Sequence, residues 1–253
     1  MRFTVFISTG LVAVAGAFSG CASTQGKLKG ADLYFAEGKK ALEKKRCLKA
    51  VENFQRIVNN FSGSELIADA QYYLAESYFC NQDYVEAIFE YQRLVDIYPS
   101  SEWLDEAQFQ IGESYYEQLR RPELDQKETR EALIYFRQFV DDNPGSPLIP
   151  RARERIVDCR SRLASKLYNS GWLYHKRGHL EAAKITYNDL ILSYPDTPWY
   201  YHGIARMGEI ALAEGNERRA RALWQEVLLD SADEELKERV QKSLDELDAP
   251  AEE

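Results

Sequence analysis

The first residue that could do chemistry is Cys21, whose thiol closes an uncharged, mostly apolar segment from Phe3 to Phe18, with Ser19 and Gly20 beside it. Arg2 places a lone positive charge ahead of that segment. So short a stretch, rich in Gly, Ala and Ser, reads as an export signal rather than a permanent span. Export leads to an oxidising compartment, where Cys47, Cys80 and Cys159 remain besides Cys21, an odd set. His175 and His179 are four apart, a spacing able to put two imidazoles on one helical face, but Gly178 interrupts the stretch and no third ligand lies near. No Gly-rich phosphate loop and no nucleophile elbow occurs. The many carboxylates read as solvated helix faces, so no catalytic residue, metal or cofactor is expected.

Phe18-Ser19-Gly20-Cys21 resembles the lipobox of bacterial lipoproteins, with Phe in place of the usual Leu. The resemblance implies a diacylglyceryl group on the Cys21 thiol, cleavage before it, and acylation of the new N-terminus. Ser19 and Gly20 are the small residues such a cut requires. A secretory signal cut nearby and the apolar N-terminus of a cytosolic chain are the competing readings. More than one acyl chain would hold the protein on a membrane without spanning it. Ala22 stands where the inner-membrane retention signal resembles an Asp, which points to the outer membrane and its periplasmic side. The formal charge is -9, and loss of residues 1–20, with one Arg and no acid, makes it -10. An acidic chain of this kind disfavours nucleic acid and anionic lipid surfaces, both of which need clustered Lys/Arg.

The elements that must carry these residues are helices. Long stretches of 3.6-period patterning are interrupted by only eight Pro, and no convincing alternating strand appears. Self-alignment supplies the architecture. Gly38, Ala75, Gly171 and Gly208 each precede an Ala by 12 (Ala50, Ala87, Ala183, Ala220), and each Ala precedes an aromatic by 4 (Phe54, Tyr91, Tyr187, Trp224). Gly112, Ala132 and Phe136 form a further unit with 20 in place of 12, which puts eight extra residues between its helices, within 118–126. Two helices approach closely only where side chains are small, and the aromatic fills the space beside the contact. Pro150 to about Lys176 is free of further Pro, which predicts one long helix of about 40 Å.

These positions resemble the tetratricopeptide repeat, with a period here of 37 against the usual figure of about 34. The fold expected is an all-α superhelix of five helix pairs with a long helix linking repeats 3 and 4. Residues 1–20 are read as signal, 21–30 as lipidated tether, 31–147 as repeats 1–3, 148–247 as the long helix with repeats 4 and 5, and 248–253 as tail. The family's groove lies along positions 2, 5, 9 and 12 of the first helix of each repeat. Position 5 is then Phe35, Tyr72 and Phe109, and position 12 is Leu42, Phe79 and Tyr116. Position 2 is Asp32, Asp69 and Glu106, and position 9 is Lys39, Glu76 and Glu113. Two apolar ladders with a polar rim suit an extended peptide, while core packing is the competing reading for each aromatic. Stacking of the first two units could bring Cys47 and Cys80 together as a disulfide, or leave both as small buried residues.

A narrower likeness rests on the lipobox, the five units, DAQYYLAESY from Asp69, RSRLA from Arg160, YHKRG from Tyr174 and YPDT from Tyr194. Together they resemble the BamD family of lipoproteins in the outer-membrane β-barrel assembly machinery. The resemblance implies a periplasm-facing scaffold whose N-terminal half recognises C-terminal segments of unfolded outer-membrane proteins. Its C-terminal half would dock on the barrel-forming subunit BamA, through exposed basic and aromatic residues such as Trp199, Arg218, Arg219 and Arg221. A repeat lipoprotein organising cell-wall synthesis or pilus and secretion assembly is the alternative.

Overall fold

The computed structural model describes residues 30–249. The helices follow in antiparallel pairs: α1 (Ala31–Glu43) with α2 (Cys47–Asn60), α3 (Ile67–Cys80) with α4 (Tyr84–Ile97), and α5 (Leu104–Tyr116) with α6 (Lys127–Asp142). Then come α7 (Ile149–Lys176) with α8 (Leu180–Ser193), α9 (Trp199–Ala213) with α10 (Glu217–Asp230), and a closing α11 (Glu234–Asp248). No strand occurs among the described residues. Each helix packs on the one before and the one after, so the pairs stack as a solenoid. Cys21, the signal segment and the residues after 249 lie outside the described residues.

The repeat signature is the packing signature. A Cβ added to Gly38 would sit 2.6 Å from the Phe54 ring, and one on Gly208 would sit 2.3 Å from Trp224. Phe54, Tyr91, Phe136, Tyr187 and Trp224 are all buried, and Trp224 donates its indole N–H to the Ala205 carbonyl at 3.1 Å. Four of the five turns inside the pairs also share a device, the α5–α6 connection being the exception. The residue after the helix cap adopts left-handed backbone, with φ of 77° at Gly178 and Gly215, but Lys45 (53°) and Gln82 (66°) fill the same place without the freedom of glycine.

The 28 residues of α7 span about 42 Å at 1.5 Å per residue. Its first half carries Ala152, Cys159 and Leu163 into the core with Phe136 and Phe139 of α6; its second half carries Ala164 and Tyr168 against Tyr187 of α8. The eight extra residues between α5 and α6 are organised around buried Gln126, whose amide donates to the Arg121 carbonyl at 2.9 Å and whose Oε1 accepts from Thr129 at 2.8 Å. Lys166 of α7 donates to the Leu124 carbonyl at 2.6 Å and ties this loop to the long helix. α11 carries none of the repeat's small and aromatic landmarks. It buries Leu236, Val240 and Leu244 along one stripe and closes the end of the stack, starting at Asp233, which accepts from the Leu236 N–H at 3.0 Å. Cys47 opens α2, Cys80 ends α3, and the two are joined by a disulfide. Cys159 is a buried free thiol, pushed up to about 12 by burial.

Candidate interaction surfaces

The first helices of the N-terminal repeats, α1, α3 and α5, do not present the two open ladders expected from spacing. Tyr72 and Phe109 are buried, at 8% and 1% exposure. Tyr72 stacks on Trp103 at 4.5 Å, and Phe109 packs on Phe136 and Phe139. Glu113 is also closed off, at 2% exposure. These three are corrected from groove residues to core, because the helix that follows each pair lies over this face. Phe35, Leu42, Phe79 and Tyr116 stay half-buried. Phe35 meets Phe54 and Tyr73 edge-on, and Lys39 caps the Tyr73 ring at 3.6 Å. Tyr73, next to Tyr72 in sequence, is half-buried, packed on Phe54 and Trp103 with Lys39 over its ring.

A chain of polar contacts crosses this face. Glu76 accepts from the Tyr91 hydroxyl and from the Gln110 amide, the latter at 2.8 Å. Asp69 accepts the Trp103 indole N–H at 2.9 Å. Glu113 accepts from Arg155 at 2.6 Å and from Arg151 at 2.7 Å, both on α7, and that bond raises the Arg155 pKa. Tyr116 donates to Asp158 of α7 at 2.5 Å, with the Arg155 guanidinium 4.2 Å from its ring centroid. Burial works against the Asp158 carboxylate, yet hydrogen bonds from Tyr116 and Arg162 hold its pKa below the usual value. Arg151 keeps half of its side chain exposed, so α7 adds a solvent-facing cation to the end of the groove. The family's groove positions belong to repeats 1–3 and omit α7; the closely spaced Arg151, Arg153 and Arg155 at the start of that helix were the signal that could have found its cations.

In the C-terminal half the expected docking residues separate. Arg218 and Arg219 are exposed at the start of α10. Arg221 is tied to Asp248 at 2.6 Å, and Trp199 is half-buried among Tyr168 and His202. Three consecutive large side chains are exposed on the second half of α7, where Trp172, Leu173 and Tyr174 are each 40% exposed, with Lys176 4.9 Å from the Trp172 ring centroid; Ile185, Leu192 and Leu229 are exposed singly elsewhere in this half. α6 covers only the first half of the long helix, which leaves this stretch without a neighbour on that side. No Asp or Glu occurs between Asp158 and Glu181, while Arg160, Arg162, Lys166, Lys176 and Arg177 do. His175 lies 3.9 Å from Glu209, and His179 sits across the turn as the cap of α8. Among the described residues no three His, Cys, Asp or Glu side chains gather as metal ligands.

Residues 29–225 match the family described as YfiO, outer membrane lipoprotein. The chain belongs to this family. The YfiO match begins just ahead of α1 and ends inside α10, so α11 lies beyond it. No curated protein matches significantly. Similar solved structures include a TPR repeats protein from Bacteroides fragilis, at 14% identity and a TM-score of 0.47 over 86% of this chain and 99% of that one. Another is a thermophilic TPR protein of Thermus thermophilus, at 19% identity and a TM-score of 0.37 over 85% and 99%. Among the described residues no helix is long and apolar enough to cross a membrane.

Proposed function

We propose that this chain is a lipid-anchored, periplasm-facing scaffold subunit of the outer-membrane β-barrel assembly machinery, held on the membrane through acylated Cys21. The YfiO match over residues 29–225 carries the reading. The Cys47–Cys80 disulfide supports export to an oxidising compartment.

The second half of α7 is the docking surface for a BamA-like subunit. Exposed aromatic and aliphatic side chains ringed by cations make an interface core with a polar rim. Arg218 and Arg219 extend the basic character along the same end. Trp172→Ala with Leu173→Ala, at exposed positions, should leave helicity intact and remove the barrel subunit from detergent co-purification. Full retention of that subunit refutes the docking role.

The N-terminal repeats take the C-terminal segment of a client in extended form, along Phe35, Leu42, Tyr73, Phe79 and Tyr116. Arg151 and Lys39 are the candidate partners for the terminal carboxylate. A peptide ending in an aromatic residue, titrated by fluorescence anisotropy as free acid and as amide, tests this. Arg151→Ala should weaken the acid and spare the amide; equal effects on both remove the carboxylate contact. Tyr72→Ala, being a core change, should read out as lost stability rather than as a selective loss of binding.

A further inference from the structure

The turn between α1 and α2 concentrates positive charge in a chain whose formal charge is -9. Lys40, Lys44, Lys45, Arg46 and Lys49 are all exposed, and none of them is held in an ion pair among the described residues. Four of the five, Lys40, Lys44, Arg46 and Lys49, line one shallow recess of about 120 Å³ together with Ala41 and a single acid, Glu37, which places four cations on one face with a clear positive excess. Lys45 is presented by left-handed backbone, and the next residue but one, Cys47, is bonded to Cys80, so the turn is pinned to the second repeat. The equivalent turn of that repeat carries Asp83 and no cation, so the repeat pattern does not itself require the cluster. In a solenoid the turns inside pairs share one edge and the connections between pairs share the other. Asp96, Glu102, Asp141 and Asp142 lie in or beside connections between pairs, on the edge away from the basic turn.

We infer that this turn is a contact surface for the anionic phospholipid headgroups of the membrane that holds the protein. The inference rests on acylation of Cys21 for its choice of partner, since ten residue steps from Cys21 to Ala31 reach at most about 33–36 Å. Repeat 1 is therefore confined near the leaflet, and α1, about 20 Å long, can fold back to bring its C-terminal end onto it. The acidic edge does not cancel the attraction. It stands roughly one helix length away, whereas charges are screened beyond about 8 Å at physiological salt. The overall acidity that argues against anionic surfaces thus describes the average of the chain and not this end of it.

Each Lys or Arg near an anionic bilayer is worth about a fivefold gain in partitioning. The mature chain carrying Cys21→Ser, with no acyl group to contribute, is sedimented with vesicles of equal parts phosphatidylcholine and phosphatidylglycerol and with vesicles of phosphatidylcholine alone. Binding is expected to the first only, to fall with added salt, and to drop on the order of 10²-fold when Lys40, Lys44, Lys45 and Lys49 are all changed to Gln. The changes are at exposed positions, and an unaltered circular dichroism spectrum confirms the fold. Equal partitioning into both vesicles, or no effect of the four changes, overturns the inference. Tight capture of a polyglutamate peptide without any preference for phosphatidylglycerol also overturns it, in favour of an acidic protein partner. Membrane flotation of the unsubstituted chain from cells tests the Cys21 anchor separately, so the two failures are distinguishable.

Discussion

Replacing Glu113 by Gln should loosen the joint between the N-terminal repeats and the long helix. The carboxylate is 2% exposed and accepts from Arg155 at 2.6 Å and Arg151 at 2.7 Å, so it is the counter-charge for two guanidiniums on α7. Removing one partner of a buried ion pair costs about 3–5 kcal/mol, because the remaining charge is left uncompensated. Arg155 is 23% exposed and Arg151 51%, so both regain some hydration when the carboxylate is lost, and Arg151 regains most. About 2–3 kcal/mol is then expected, equivalent to a fall in Tm of about 5–10 °C for a chain of this size. Thermal and urea unfolding of the wild type, Glu113→Gln, Arg155→Met and the double variant form a cycle that isolates the pair. The double variant should recover part of the loss, since Arg155 is then no longer left without its counter-charge, although Arg151 still is. A Glu113→Gln change below about 0.5 kcal/mol, with native helicity, would mean that the pair is not what holds α5 to α7.

Three further changes test the packing and the electrostatics. Cys47→Ala with Cys80→Ala opens a loop closed across 33 residues, and the unfolding free energy should fall by about 2–4 kcal/mol; an identical midpoint with and without reductant in the wild type would contradict a bond between them. Gly112→Ala places a methyl group 2.8 Å from the Phe136 ring and should cost about 1–3 kcal/mol, whereas tolerance at no cost would show that the helices can part freely. Glu106 is raised to about 7, first by its hydrogen bond with Asp105 and then by burial. A raised carboxyl binds its proton more tightly in the folded state, so its contribution to stability is present below about pH 4.5 and is lost as pH rises towards 7. The same hydrogen bond lowers Asp105, which offsets part of the effect and limits the net to about 1 kcal/mol, and Glu106→Gln should flatten the wild-type pH dependence of the urea midpoint over that window.

The repeat was legible because its causes are local. Gly at 38, 112, 171 and 208 and an aromatic four residues after each Ala state where two neighbouring helices touch, and that contact lies within one pair. The long helix was legible for the same reason, since an unbroken periodic stretch needs no distant partner to be recognised. α11 is not legible as a repeat helix because it carries only an apolar stripe and none of the repeat's landmarks. The open surface depended on contacts across tens of residues. Tyr72 and Tyr73 are equally aromatic and adjacent; Trp103, from the next repeat, stacks flat on the first at 4.5 Å and closes it into the core, but meets the second only edge-on at 5.4 Å and leaves it half-buried beneath Lys39. Likewise Glu113 looks like a rim acid until Arg151 and Arg155, 38 and 42 residues later, close over it. Residue types and spacing determined the helices and the closeness of each pair, because those follow from backbone geometry and side-chain size. Which faces stay wet was decided by the stacking of successive pairs, because burial belongs to the neighbours a residue acquires and not to the residue itself.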